Sequence, residues 1–279
     1  MRHPLSSPDA PEPALEASTP TDPVADPAVA DPAALTPADC AAAVSAAVAD
    51  VFAVLGDWRD RVATAVPLAT TVELDALVES LVVPALFGPS MPRDAPALLV
   101  GAGFVAAEDY RPGRPAHFAW WLGPLASNPL LGTTLAPTRL DLAARVHTEY
   151  LRDFRGLEWY QVPESTGRAH VTGPYVDHLC TFDFILTLTL PVLADGRTIG
   201  VIGADVSVTR LESAMLPLLL GLASPAALVN AVGRVVVSTE ATLSAGDIVP
   251  NPRHPLADYD RVACPGIPFD ILVRSTSRK

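Results

Sequence analysis

The sequence predicts an α+β protein in which a long N-terminal helix precedes antiparallel sheets. Apolar residues recur at helical spacing from Val44 to Trp58, which indicates one long amphipathic helix. Residues 184–193 alternate between apolar residues and threonine, and a short turn joins them to a second strand-like run at 197–208. The turn, Ala194-Asp195-Gly196, has the Asp-Gly pair that is typical of a hairpin, so the strands should pair antiparallel.

The helices are predicted from caps and periodicity. The first should begin at Thr36, because threonine is a good N-cap, Pro37 suits the first helical turn and Asp39 lies in that turn. A second helix is expected over 72–83, where leucine and valine residues lie on one face, and another over 209–221.

The strands are predicted from short apolar runs bounded by turn residues. Their expected positions are residues 97–107, 117–123, 184–193, 197–208, 226–230, 234–239, 261–266 and 268–275. The first run, ALLVGAGFVAA, superficially suggests a dinucleotide-binding loop. It lacks the third glycine and the following acidic residue of that motif, so a glycine-bearing strand is the better interpretation.

Three regions follow from this pattern. Residues 1–38 are rich in proline, alanine and aspartate, contain no aromatic residue, and are predicted to be a disordered tail. Residues 39–222 should form the N-terminal helix and a main mixed unit, and residues 223–279 a smaller mixed unit.

Composition narrows the partners and the compartment. The net charge of −12 disfavours nucleic acid and anionic lipid as partners. The N terminus lacks the apolar run of a signal peptide, and Met215–Val232 fits a core helix followed by a strand better than a membrane span. We therefore expect a soluble, cytoplasmic protein without a membrane span. No cofactor motif occurs.

A metal site is not expected. Asp177, His178 and Cys180 lie close in sequence, but adjacent residues of a strand point to opposite faces. A structural metal site needs three or four converging ligands, and no second ligand pair at suitable spacing is evident.

Residues 157–177, LEWYQVPESTGRAHVTGPYVD, concentrate aromatic residues in a chain that is only 6% aromatic. Trp159 and Tyr160 should begin a short helix, whereas Tyr175 and Asp177 should share one face of the next strand. Asp205 ends a strand otherwise free of charge, and a buried carboxylate there needs a partner. It either caps the helix near residue 209 or faces a binding site.

These segments resemble the Cache sensor domains of bacterial signalling proteins, a PAS-related family. The resemblance rests on a WY pair, a PY strand followed by aspartate, a PV strand, a turn and the strand GVIGAD, in that order. It implies a long N-terminal helix followed by PAS-like antiparallel modules, with residues 223–279 as the second module of a double Cache domain. It also implies a ligand-binding function rather than catalysis.

The resemblance further implies a site for a small amine or amino acid. Asp205 would accept the ammonium group, Tyr175 would hydrogen-bond to or stack on the ligand, and Trp159 and Tyr160 would line the pocket. Either Glu158 or Asp177 would add negative charge. The family's amino-acid binders carry an arginine two residues before the tryptophan to hold the ligand carboxylate. Leu157 occupies that position here, so either Arg152 or Arg155 replaces the anchor or the ligand is an amine without an α-carboxylate.

Two other functions remain open from the sequence. The same residues would suit an enzyme or accessory protein of amine metabolism, although no nucleophile–base pair is visible. A structural interaction domain with the aromatic residues in its core is the other alternative. Homodimerisation through the N-terminal helix and a separate signalling partner are also expected.

Overall fold

The computed structural model describes residues 34–87, 98–107, 110, 117–125, 132–140, 154–177 and 183–275. The predicted tail before residue 34, and the residues Arg152, His178 and Cys180, lie outside this described part. For Arg155 only the backbone is described, within a 3-10 turn over Phe154–Gly156.

The predicted helices are present. The second extends beyond its expected end at residue 83 to Phe87, and the last lies within one residue of its expected bounds. They are α1 (Pro37–Ala65), α2 (Thr71–Phe87), α3 (Glu158–Thr166) and α4 (Val208–Leu220). Thr36 caps α1 as predicted, since its hydroxyl accepts a hydrogen bond from the backbone N–H of Asp39 at 3.1 Å.

The first sheet has six antiparallel strands in the order β3-β2-β1-β6-β5-β4. The strands are β1 (Leu99–Ala106), β2 (Phe118–Leu122), β3 (Thr138–Arg139), β4 (His170–Val176), β5 (Phe184–Ala194) and β6 (Arg197–Ser207). The run GAGFVA therefore lies in a central strand, as the sequence predicted. The hairpin turn at Asp195 and Gly196 has positive φ at both residues, which explains the Asp-Gly pair.

The second sheet has four antiparallel strands in the order β8-β7-β10-β9. They are β7 (Ala226–Asn230), β8 (Val235–Ser238), β9 (Tyr259–Ala263) and β10 (Phe269–Arg274). A long helix followed by two antiparallel sheets confirms the predicted α+β class.

The two faces of the first sheet have different roles. Buried residues such as Ala102, Phe104 and Ala204 join one face to α1 and α2 in the main apolar core. Because side chains alternate along a strand, their neighbours point to the opposite face. On that face Trp120 and Val201 form a second apolar cluster, and it is this face that borders the candidate site.

Helix α1 is long and apolar enough to cross a membrane, judged by length and composition alone. In the structure its buried face belongs to the core of the sheets, with Val44, Leu55 and Val62 fully buried. The other segment considered from sequence, Met215–Val232, consists of the end of α4 followed by β7, as predicted.

Candidate functional site

A cavity of about 710 Å³ lies on the second face of the first sheet. Strands β2, β4, β5 and β6 supply its floor, α3 supplies part of its wall, and residues of the second sheet complete the lining. Cavities of about 300–1,000 Å³, mostly apolar with a few polar groups, are typical of small-molecule sites. This cavity is therefore the candidate functional site.

Asp205 is the buried charge of this cavity. It lies in β6, between Gly101 of β1 and Thr187 of β5, and is only 5% exposed. Thr187 Oγ1 donates a hydrogen bond to Asp205 Oδ1 at 2.8 Å, and the Trp120 side chain also hydrogen-bonds to the carboxylate. The Tyr175 hydroxyl lies 2.7 Å from the same Thr187 oxygen. Since that oxygen has a single proton, which it gives to Asp205, Tyr175 must donate to Thr187.

The pKa of Asp205 is raised to about 7. Burial is the largest cause and the nearby charge of Asp177 is the second, while the hydrogen bonds from Thr187 and Trp120 act in the opposite direction. The ionised carboxylate is stabilised when a cation enters the cavity, because the positive charge offsets both the burial and the repulsion from Asp177.

The structure excludes the alternative in which Asp205 caps the following helix. Ser207 is the N-cap of α4, and its hydroxyl accepts from the backbone N–H of Arg210. Ser207 and Asp205 are both buried, but only Asp205 lines the cavity.

Aromatic rings form part of the lining of this cavity. Trp159 of α3 lies 5.9 Å from Trp120 of β2, between ring centroids, and stacks on Phe154 at 6.2 Å. Trp159 lines the cavity, whereas Tyr160 is 4% exposed and does not. Tyr160 instead packs edge-on against Phe154 at 5.3 Å. Adjacent residues of a helix point about 100° apart, so only one of the two rings reaches the cavity.

Glycines on the sheet face make room for Trp120, which the sequence analysis did not identify. A Cβ on Gly103 would lie 2.6 Å from the Trp120 Cα atom and 2.9 Å from its ring atom Cε3. The sequence signal for this arrangement is glycine at alternate positions of β1, Gly101 and Gly103, with Gly203 of β6 opposite Gly103.

Tyr175 and Asp177 both line the cavity, but so does Val176 between them, so their position does not follow from strand alternation alone. Glu158 also lines it, but its Oε1 atom lies 2.9 Å from His170 Nε2 and is therefore paired. Leu157, where the resemblance led one to expect arginine, is part of the lining. Among the described residues, no group of three or more histidine, cysteine, aspartate or glutamate side chains could hold a metal ion.

The second sheet contributes a polar wall that the sequence analysis missed. Asn230, at the end of β7, donates from Nδ2 to the carbonyl oxygen of Gly173 in β4. Pairing between β4 and β5 shifts register between Thr172 and Tyr175, so Gly173 lies at an irregularity of the ladder. Arg234, just before β8, also lines the cavity.

Comparison with known proteins agrees with this geometry. Residues 118–213 match the family described as methyl-accepting chemotaxis protein-like, first PDC sensor domain. The fold is similar to that of chemoreceptor ligand-binding domains. The matched segment contains most of the cavity floor and the whole of α3, so the predicted resemblance to Cache-type sensors is confirmed at this level. Its assignment to the double Cache family stays a prediction.

Solved structures give the same result. The ligand-binding domain of the Pseudomonas fluorescens chemoreceptor CtaA with L-valine has a TM-score of 0.53 at 14% identity, covering 87% of this chain and 95% of that one. The same domain with L-alanine has a TM-score of 0.52 at 15% identity, with coverages of 85% and 93%. The extracellular domain of the histidine kinase mmHK1S-Z3 has 0.53 at 16%, with coverages of 86% and 91%. At these identities the similarity establishes the fold.

These matches contradict the predicted cytoplasmic location. The matched structures are chemoreceptor ligand-binding domains and the extracellular domain of a histidine kinase, and α1 is long and apolar enough to cross a membrane. The predicted cytoplasmic location is therefore not retained. The prediction considered only the first residues and Met215–Val232 and did not test α1, whose length and composition suit a membrane span.

Proposed function

We propose that this protein is a non-catalytic sensor whose ligand is a small amine, bound with its ammonium group against Asp205. The observation that carries this proposal is a buried carboxylate that lines an aromatic cavity and has no cationic side chain among the groups that shift its pKa. The matched family and structures are sensor domains of chemoreceptors, which supports a sensor rather than an enzyme.

The proposed contacts follow from the chemistry of an ammonium group. Asp205 neutralises the charge and accepts a hydrogen bond from the ammonium. The negative charge of Asp177 adds to the attraction, and the ring face of Trp159 contributes through a cation–π contact. Tyr175 holds Thr187, and through it Asp205, in position.

A ligand carboxylate next to the ammonium group has no described partner in this arrangement. The CtaA domains are solved with α-amino acids, L-valine and L-alanine. Here Leu157 replaces the arginine that the resemblance leads one to expect, and burying an unpaired anion is costly. We therefore propose that amines without an α-carboxylate bind better than the matching α-amino acids.

We also propose that residues 223–279 form the second module of a double Cache domain. The four-stranded sheet after α4 supports this division.

A homodimer through α1 is proposed as well, because exposed positions of that helix include the small residues Ala42, Ala49 and Ala53, which permit close helix approach. Light scattering of the wild type and an Ala49→Glu variant tests the dimer. Equal molar masses at every concentration would contradict it.

Thermal shift followed by calorimetry tests the proposed ligand class. Each amine is paired with its amino-acid parent, for instance cadaverine with lysine. At a hundredfold excess over Kd, a ligand stabilises by roughly 2.7 kcal/mol, which should raise Tm by roughly 5–10 °C for a domain of this size. Asp205→Asn should abolish the shift and the calorimetric signal. If no amine shifts Tm, the proposal fails, and formation of a product from a bound amine would instead indicate an enzyme.

A further inference from the structure

Arg234 is the only lysine or arginine among the residues that line the described cavity. It belongs to the turn between β7 and β8, so it reaches the site from the second sheet. The cavity otherwise carries three carboxylates, those of Glu158, Asp177 and Asp205. A single cationic side chain in an acidic cavity of an acidic protein requires an explanation.

The turn that carries Arg234 is held rigidly against the first sheet. Asn230 Oδ1 accepts hydrogen bonds from the backbone N–H groups of Val232 at 3.1 Å and Arg234 at 2.9 Å. The other end of the same amide donates to the Gly173 carbonyl oxygen in β4. Asn230 is 7% exposed, so this clamp is protected from water. The position of Arg234 relative to the cavity floor is therefore built into the fold.

The guanidinium group of Arg234 has unused hydrogen-bonding capacity. Nη1 donates to the Gly246 carbonyl oxygen at 3.0 Å, and Arg234 makes no ion pair with any described residue. An arginine side chain has five N–H donors in a planar fork that matches a carboxylate. The bond to Gly246 orients the group and leaves the rest of the fork available.

Arg234 and Asp205 are separated within the cavity. Asp205 lies in β6 on the floor formed by the first sheet, whereas Arg234 lies before β8 in the second sheet. No ion pair joins these two described side chains, and Arg234 Nη1 donates instead to the Gly246 carbonyl oxygen. The two opposite charges therefore act on different parts of a ligand, and the cavity of about 710 Å³ has room for an extended molecule between them.

We propose that Arg234 binds a carboxylate at the far end of the ligand, so that the preferred ligands are ω-amino acids. This inference rests on the proposed function, since it presupposes an ammonium group at Asp205. It is consistent with Leu157, because a carboxylate adjacent to the ammonium has no described partner while a distant one reaches Arg234. A ligand of this kind bridges the first sheet and the turn of the second sheet.

The test compares two homologous series by calorimetry: ω-amino acids from glycine to 6-aminohexanoate, and n-alkylamines of the same chain lengths. For the wild type, affinity of the ω-amino acids should increase with length and exceed that of the matching amine at least tenfold at the best length. Arg234→Gln should remove this advantage while changing alkylamine affinity less than twofold. Arg253→Gln, an exposed arginine of the same sheet region, is the matched control and should change neither.

The outcomes separate this inference from the proposed function. If alkylamines bind the wild type but a terminal carboxylate adds nothing, Arg234 is not an anchor and the ammonium site still stands. If Arg234→Gln weakens both series equally while its unliganded Tm falls, Arg234 has a structural role and the inference is overturned. If the wild type binds neither series, both proposals fail.

Discussion

Gly101 and Asp205 lie opposite each other on β1 and β6, and a Cβ on Gly101 would stand 2.8 Å from Asp205 Oδ2. It would also stand 3.0 Å from Trp120 Nε1. The absence of a side chain at Gly101 is therefore what allows the indole and the carboxylate to meet.

Gly101→Ala should displace the Asp205 carboxylate and weaken amine binding at least tenfold. The side chain must move because no real Cβ contact is as short as this one would be. Gly123→Ala is the matched control, since its Cβ would make only ordinary contacts, the nearest at 3.5 Å. Calorimetry with the best alkylamine measures both variants. Equal affinity of the two would show that the position of the carboxylate does not determine binding.

Amine binding should weaken as the pH falls through 7. The pKa of Asp205 is raised to about 7 in the unliganded protein, so its proton must leave before an ammonium group is bound. The amine itself stays protonated throughout this range. Between pH 8 and pH 6 the affinity should fall roughly tenfold, following the ionised fraction of Asp205. A flat calorimetric profile from pH 8 to pH 6 would rule out Asp205 as the ammonium acceptor.

Asp205→Asn should change how stability depends on pH. Because the folded-state pKa is raised above the unfolded value of 3.8, the folded wild type binds this proton more tightly than the unfolded chain. Its stability therefore declines as the pH rises from about 4 to 7 and levels off above 7. From pH 4 to pH 8, the free energy of unfolding of the wild type should fall relative to that of the variant, by an amount on the order of a few kcal/mol. Urea titrations at both pH values measure this shift, which would be absent if Asp205 ionised normally.

Trp159 and Tyr160 should respond differently to truncation. Trp159→Leu should reduce amine affinity with a small effect on stability, because Trp159 is partly exposed to the cavity. Tyr160→Ala should cost roughly 3–5 kcal/mol of stability, as for other buried aromatic residues. Denaturant unfolding and calorimetry on both variants separate the two roles. Loss of stability without loss of affinity in the Trp159 variant would place that ring in the core.

Leu157→Arg should change the ligand preference from amines to α-amino acids. The substituted position lines the cavity directly before α3, and an arginine there would supply a partner for an α-carboxylate. We expect α-amino acids such as lysine to gain at least tenfold in affinity, while cadaverine gains nothing. Leu157→Met, which keeps the apolar volume, is the control. If wild-type protein already prefers lysine, then Arg152 or Arg155 supplies the anchor, and substituting each identifies it.

Local sequence patterns determined most of the elements of this protein. The cap at Thr36, the Asp-Gly turn and the alternation of β5 depend on neighbouring residues, and each was predictable because its cause is local. The order of motifs then indicated the sensor fold.

Only the tertiary structure decided which side chains face the cavity. Asp205 had two possible positions, and strand register, set by long-range pairing with β1 and β5, placed its side chain in the cavity. Trp159 and Tyr160 are adjacent in sequence, and the packing of α3 on Phe154 turned only one of them inward. Arg234 is far in sequence from the aromatic residues and reaches the same cavity because the Asn230 clamp holds its turn to β4. Such choices depend on contacts between distant segments, which no local pattern encodes.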